Sequence, residues 1–214
     1  MRGNLRMKKL FAVLMALCLL CGAAMAEASS RILIAYVSRA GENYNVGTPV
    51  PGSASASYAG YVEKGNTQIV AETLAELTGG DLYRITTAEP YPEDYASMLT
   101  RAQEELDNNA RPALAGELPN LDDYDVLMIG YPVWHGATPR PVLAFLESYD
   151  LSGKTLIPFN THEGSGQGRT VSEIAASAPN AKMLEGIAIQ GKTAQEDADQ
   201  TRELLADWLS GIGQ

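Results

Sequence analysis

Three short apolar runs set the limits on what this chain can fold into. Residues 31–37 (RILIAYV), 125–130 (DVLMIG) and 154–160 (KTLIPFN) are rich in β-branched and aromatic side chains, with little polar alternation. A strand that is apolar on both sides must be covered on both sides, which is how parallel sheets are built. Two weaker runs, 81–86 and 183–189, bring the expected strands to five. The first of these is more polar, as suits a sheet edge. Pro158 sits awkwardly in a central strand, because it has no N–H for the ladder.

Helical patterns fall between the strands. Asn66 and Thr67 are expected to cap a helix that reaches about Thr78, with Val70, Leu74 and Leu77 on one face and Gly79-Gly80 ending it. Pro92 suits the first turn of a second, in which Tyr95, Met98, Leu99, Ala102 and Leu106 recur at helical spacing. Thr138-Pro139 starts a third, which uses Val142, Leu143 and Leu146. Thr170 to Glu173 and Thr193 to Glu196 have capping-box spacing, and open a fourth and a fifth. The fifth is expected to turn Leu204, Leu205, Trp208 and Leu209 inward. Strands alternating with helices of this length give a parallel sheet with right-handed crossovers and helices on both faces. One α/β domain is expected.

The first 26 residues read differently. Arg2, Arg6, Lys8 and Lys9 precede an apolar run at 10–20, and Ala24-Met25-Ala26 follows it. This is the pattern of a cleaved secretory signal, with the domain proper at 27–214 and an exported, periplasmic or extracellular product. A retained membrane anchor is the alternative, but the apolar run is shorter than the ~20 residues of a span. Cys18 and Cys21 both lie in this leader, so the remainder has no disulfide, thiolate ligand or cysteine nucleophile. The chain carries a net charge of −10; the leader holds four of its 16 basic residues and none of its 26 acidic ones, which puts the rest at 12 − 26 = −14. Such a surface repels phosphate backbones, and nucleic acid is not an expected partner.

Chemistry is expected beyond the carboxyl ends of the strands, where an open parallel sheet binds ligands. Three loops lie there. The first opens with Ser38-Arg39-Ala40-Gly41 and closes with Gly65-Asn66-Thr67. Hydroxyls and glycines at a helix start suit a phosphate, although Gly-Asn-Thr alone is an ordinary helix cap. The second, 130–139, places Trp134 between Gly and Pro residues. That indole either folds back on the core or waits for a planar ligand to cover it. The third, 160–168, has three glycines at single-residue spacing, which is a close approach to a ligand or a plain surface turn. The chain has only two histidines, His135 and His162, and they fall in the second and third loops. No third ligand at metal spacing accompanies them, and no Gly-x-Ser-x-Gly elbow follows a strand.

Taken together, Tyr36 to Asn43, Gly65-Asn66-Thr67, Gly130 to Trp134 and Ser152-Gly153-Lys154 leading into Phe159 to His162 resemble the flavodoxin-like family, in its exported bacterial branch. The resemblance covers nearly all of 27–214. It implies a three-layer α/β sandwich with a five-stranded parallel sheet in the order 2-1-3-4-5, and FMN as cofactor. By it Ser38, Arg39, Ala40, Asn66 and Thr67 surround the phosphate. Pro132, Val133, Trp134 and His135 form one flavin-side loop, with Trp134 a stacking candidate. Thr161, His162, Gly164 and Ser165 form the other. Two departures stand out: residues 42–64 interrupt the phosphate loop, with Tyr44, Tyr58 and Tyr61 available as a lid, and His162 stands where many flavodoxins have an aromatic ring. The implied function is FMN-dependent electron transfer with redox partner proteins or a small-molecule acceptor. An FMN-dependent NAD(P)H:quinone-type oxidoreductase and a flavin-free binding module are the alternatives. A protonated His135 or His162 beside the flavin would make its potential pH-dependent.

Overall fold

The computed structural model describes residues 31–42 and 61–214. The leader and most of the insertion expected at 42–64, with Tyr44 and Tyr58, lie outside the described residues.

Six parallel strand segments form one sheet. They are β1 (Ile32–Tyr36), β2 (Asp81–Arg84), β3 (Val126–Pro132), β4 (Thr155–His162), β5 (Lys182–Met183) and β6 (Ile187–Gln190). The order is β2-β1-β3-β4, with β5 and β6 one after the other along the far side of β4. This is the order 2-1-3-4-5, with its fifth position broken. The break lies beside Pro158. Gly186 packs so closely there that a Cβ on it would fall 2.5 Å from Pro158 O and 2.8 Å from Pro158 Cγ. The proline is accommodated in a central strand because its neighbour stops pairing next to it.

Among the described residues six α-helices flank the sheet: α1 (Asn66–Thr78), α2 (Tyr95–Asp107), α3 (Arg140–Leu146), α4 (Thr170–Ser177), α5 (Gly191–Glu196) and α6 (Ala198–Ile212). Successive strand residues face opposite ways. Leu33, Ala35, Leu127, Ile129 and Leu156 enter one core with Met98, Val142, Phe145 and Ile174 from α2, α3 and α4. Ile34, Tyr36, Met128, Ile157 and Phe159 enter the other with Val70, Leu74, Leu205 and Leu209 from α1 and α6. The result is the three-layer α/β sandwich.

Several local expectations shift. Gly65, not Asn66, caps α1. The capping-box spacing at 193–196 lies inside α5, and the long last helix starts after Asp197, whose carboxylate accepts from Gln200 N at 2.9 Å. Leu204 is exposed, while Leu205 and Leu209 are buried. Glu173 does not cap its own helix; its carboxylate accepts from Thr138 N at 2.7 Å and from Arg140 Nη2 at 3.0 Å. A two-residue antiparallel ribbon pairs Gly41–Glu42 with Tyr61–Val62, so the chain leaves and rejoins the loop after β1 at one point. Among the described residues no helix is long and apolar enough to cross a membrane.

Candidate functional site

The loops after β1, β3 and β4 meet the start of α1 at one end of the sheet, and a crevice of about 260 Å³ opens between them. Ser38, Arg39, Asn66 and Thr67 line one end. Pro132, Val133, Trp134 and His135 form one wall, and Thr161, His162 and Ser165 the other. Two expected residues stand apart from the lining. Ala40 faces a neighbouring cavity beside Arg84 and Tyr91, and Gly164 acts through its amide, which donates to His162 Nδ1 at 2.9 Å.

The end nearest α1 gathers backbone amides and hydroxyls. Gly65 offers no side chain, and the cap is supplied from 30 residues away: Ser38 Oγ accepts from Gln68 N at 3.1 Å. The amides of Asn66 and Thr67 are left without a protein acceptor among the described residues, at the positive end of the helix dipole. Close packing makes this arrangement possible. A Cβ on Gly65 would lie 2.2 Å from Arg39 O and 2.4 Å from Ser38 Oγ. Thr67 Oγ1 meets Thr161 Oγ1 at 2.7 Å and ties α1 to β4. The Arg39 guanidinium is directed at the loop before α2, where Nη2 donates to Glu93 O and Nε to Pro92 O at 3.4 Å.

The other end is a rigid turn. Trp134 and Ala137 exchange backbone hydrogen bonds of 3.1 and 2.8 Å, with His135 at φ 50° and Gly136 at φ 69° between them. Two successive positive φ angles make this the tight, primed turn of a two-residue hairpin. His135 Nε2 donates to Leu99 O at 3.0 Å, which holds the ring against α2. Trp134 is only 9% exposed, and its ring packs edge-on against Tyr91 with centroids 4.9 Å apart. The indole therefore belongs to the core and lines the crevice at once. Gly136 O accepts from Arg169 N at 3.2 Å and Val133 N donates to Thr161 O at 2.9 Å, so the two walls are joined.

The two histidines are not equivalent. Burial pushes the His162 pKa down, and Nδ1 already accepts from Gly164 N, so the neutral ring carries its proton on Nε2. A charged His162 beside a ligand is therefore disfavoured. An NMR titration of this imidazole is expected to give a midpoint below the usual value of ~6.5, with the Nε2–H tautomer above it. A midpoint at or above that value would contradict the burial argument.

Sequence reasoning gave no site role to three lining residues, Tyr95, Met98 and Glu163. Tyr95 and Met98 read as a core face, yet the start of α2 points at the same sheet edge and both reach the crevice. Gly136 also lines it. Glu163 carries the largest surprise. It sits between two named site residues, and its carboxyl is half-buried against Asn66, with Asn66 Nδ2 donating to Oε1 at 3.2 Å. Among the described residues no cluster of His, Cys, Asp and Glu could hold a metal ion.

A family model described as Flavodoxin matches residues 53–210. Among solved structures, a protein of Bacteroides eggerthii, provisionally designated a flavoprotein, is 30% identical. The match covers 86% of this chain and 99% of that one, with a TM-score of 0.65. A protein of Bacteroides uniformis with the same designation is 27% identical over 85% of this chain and 99% of that one, with a TM-score of 0.61. A Lactobacillus acidophilus flavoprotein solved in complex with FMN is 19% identical over 77% of this chain and 95% of that one, with a TM-score of 0.52. No curated protein matches the chain.

Proposed function

The chain belongs to the flavodoxin family, and from that premise we propose that its crevice binds one FMN and that the protein carries electrons through it. One observation carries the reading. The unused amides at the start of α1 and two glycine-containing loops converge on a single crevice, with Ser38, Asn66 and Thr67 at one end and an indole in its wall. FMN bound there would supply the redox chemistry, taking up and releasing electrons.

The residues present fit that group. The amides of Asn66 and Thr67 bind the phosphate, and Ser38 holds the first turn of α1 in place for them. The loop of Pro132 to His135 and that of Thr161 to Ser165 flank the ring system and exclude water from its faces. Trp134, fixed edge-on by Tyr91, presents its ring without needing to reorganise. The backbone of the 134–137 turn offers polar groups to the ring edge. The acidic surface suits a basic redox partner. Residues 1–26 act as an export leader in this reading, and the cofactor is acquired outside the cytoplasm.

A visible absorption spectrum tests the cofactor. The purified domain is expected to be yellow, or to take up one equivalent of FMN with quenching of flavin fluorescence. A protein that stays colourless after incubation with FMN would make the fold a flavin-free binding module. Steady-state kinetics test the role. A carrier shows no sustained turnover with NAD(P)H and a quinone unless a separate reductase is added; sustained turnover would establish the oxidoreductase instead.

A further inference from the structure

Glu163 is an acid placed where an anion is meant to bind. Its Oε1 accepts from Asn66 Nδ2 at 3.2 Å, while Oε2 is buried with no hydrogen-bond partner among the described residues. The backbone of α5 closes over it: a Cβ on Gly191 would lie 2.0 Å from Glu163 Oε1 and 2.1 Å from Asn66 Nδ2. Asn66 is fixed from its other side as well. Its Oδ1 accepts from Gln195 Nε2 at 2.8 Å, and the same nitrogen donates to Lys64 O at 2.7 Å. A hydrogen-bonded chain therefore runs from α5 through the first residue of α1 to the crevice, and it ends on a carboxyl.

Among the described residues no ion pair to that carboxyl is formed. On the α1 side Lys64 pairs with Glu72, and on α5 Lys192 pairs with Glu196. The Arg39 guanidinium is directed at Pro92 and Glu93. On β4 the neighbouring His162 is held by Gly164 and is itself pushed toward the neutral form. Burial raises the Glu163 pKa, and the single bond from Asn66 opposes this only in part. An ionised carboxylate here would lose solvation without gaining a counter-charge. It would also share the crevice lining with Asn66 and Thr67, whose amides receive the phosphate in this reading, and two like charges sharing one site drive one of them to take up a proton.

We propose that Glu163 is the residue that links FMN binding to protons: the crevice accepts the phosphate only with Glu163 as the neutral acid, so binding at high pH takes one proton from solvent onto its carboxylate. The inference rests on the crevice being the FMN site. Neutral Glu163 keeps Oε1 as an acceptor for Asn66 and adds an O–H donor on Oε2, whereas ionised Glu163 repels the phosphate. Asn66 and Gln195 position the group; they do not titrate.

The Glu163→Gln variant isolates the effect, because it keeps an acceptor for Asn66 and cannot ionise. FMN affinity of both proteins is measured from pH 5 to pH 9 by fluorescence quenching, and the ratio of the two constants cancels the titration of FMN itself. Near pH 5 the two proteins are expected to bind alike. By pH 8 the variant is expected to bind about tenfold more tightly. With riboflavin, which lacks the phosphate, the ratio stays flat. A ratio for FMN that does not change with pH overturns the inference while leaving the FMN site intact. Absence of FMN binding at every pH overturns the site as well. Calorimetry of the wild-type protein in two buffers of different ionisation enthalpy gives a check that does not depend on the variant folding. Net proton uptake on FMN binding at pH 8 is expected, and none would refute it.

Discussion

Replacing Gly65 with alanine will weaken FMN binding by about two orders of magnitude, corresponding to ~3 kcal/mol. The residue has φ −68° and ψ 151°, which alanine adopts without strain, so backbone conformation is not the cause. The cause is contact. The new methyl would sit 2.2 Å from Arg39 O, 2.8 Å from Arg39 C and 2.4 Å from Ser38 Oγ. Two of these three atoms are main chain, so no rotamer change clears them, and the loop after β1 must separate from the start of α1. That separation breaks the bond from Gln68 N to Ser38 Oγ, worth about 1 kcal/mol as a helix cap. It also disperses the amides that face the phosphate. Ser38→Ala, which removes the cap alone, is expected to lose only about tenfold. Affinities for FMN and riboflavin, measured side by side, locate the damage: FMN should suffer far more than riboflavin. Gly65→Ala binding FMN within threefold of the wild type would mean that the phosphate does not rest on this loop.

How much of this was legible in the chain can be judged residue by residue. The strands were, because 32–36, 126–130 and 155–160 are apolar on both faces and only a covered parallel sheet accommodates that. The crevice was, because topology alone says which loops gather beyond the strand ends, and both histidines fell there. What stayed hidden was the pairing of polar groups across long sequence separations. Asn66 and Thr67 look like caps, but the cap comes from Ser38 on another loop. Glu173 has the spacing to cap α4 and instead serves Thr138 and Arg140, over 30 residues upstream. Pro158 argued against a central strand, and nothing local could show that its neighbour would break beside it. Glu163 carried no signal of its own, because it is closed over by Gly191, a residue of another helix. Local pattern reports what a segment prefers; it is silent on which distant group will satisfy it.

Arg140→Met is expected to destabilise the protein by about 2–4 kcal/mol, somewhat below the range for a fully buried pair because Glu173 keeps part of its surface. Arg140 opens α3 and is 5% exposed. Its Nη2 donates to Glu173 Oε1 at 3.0 Å and its Nη1 to Asn109 Oδ1 at 3.4 Å, while Nε is buried without a partner among the described residues. Glu173 is the hub. It also accepts from Arg169 Nε at 3.1 Å and from Thr138 N at 2.7 Å, just past the turn that carries Trp134. Burial alone would raise the Glu173 pKa, yet the Thr138 bonds and Arg140 together hold it below the ordinary carboxylate value. In the wild type the stabilisation is therefore present above the unfolded-state pKa and is lost as pH falls through the lowered folded one. Without Arg140 the burial effect gains weight, with Arg169 and Thr138 left to oppose it. The pH dependence in this range should flatten or reverse, so that the variant loses most at neutral pH and least in acid. Thermal unfolding should show a midpoint about 5–15 °C lower at pH 7, with the gap closing toward pH 4. Arg140→Met combined with Glu173→Gln keeps an acceptor for Thr138 N and removes the stranded charge, so the pair should regain more than half of the loss. If the double variant is instead as unstable as the sum of the two single ones, the pair is not coupled, and the turn beneath Trp134 is held by packing alone.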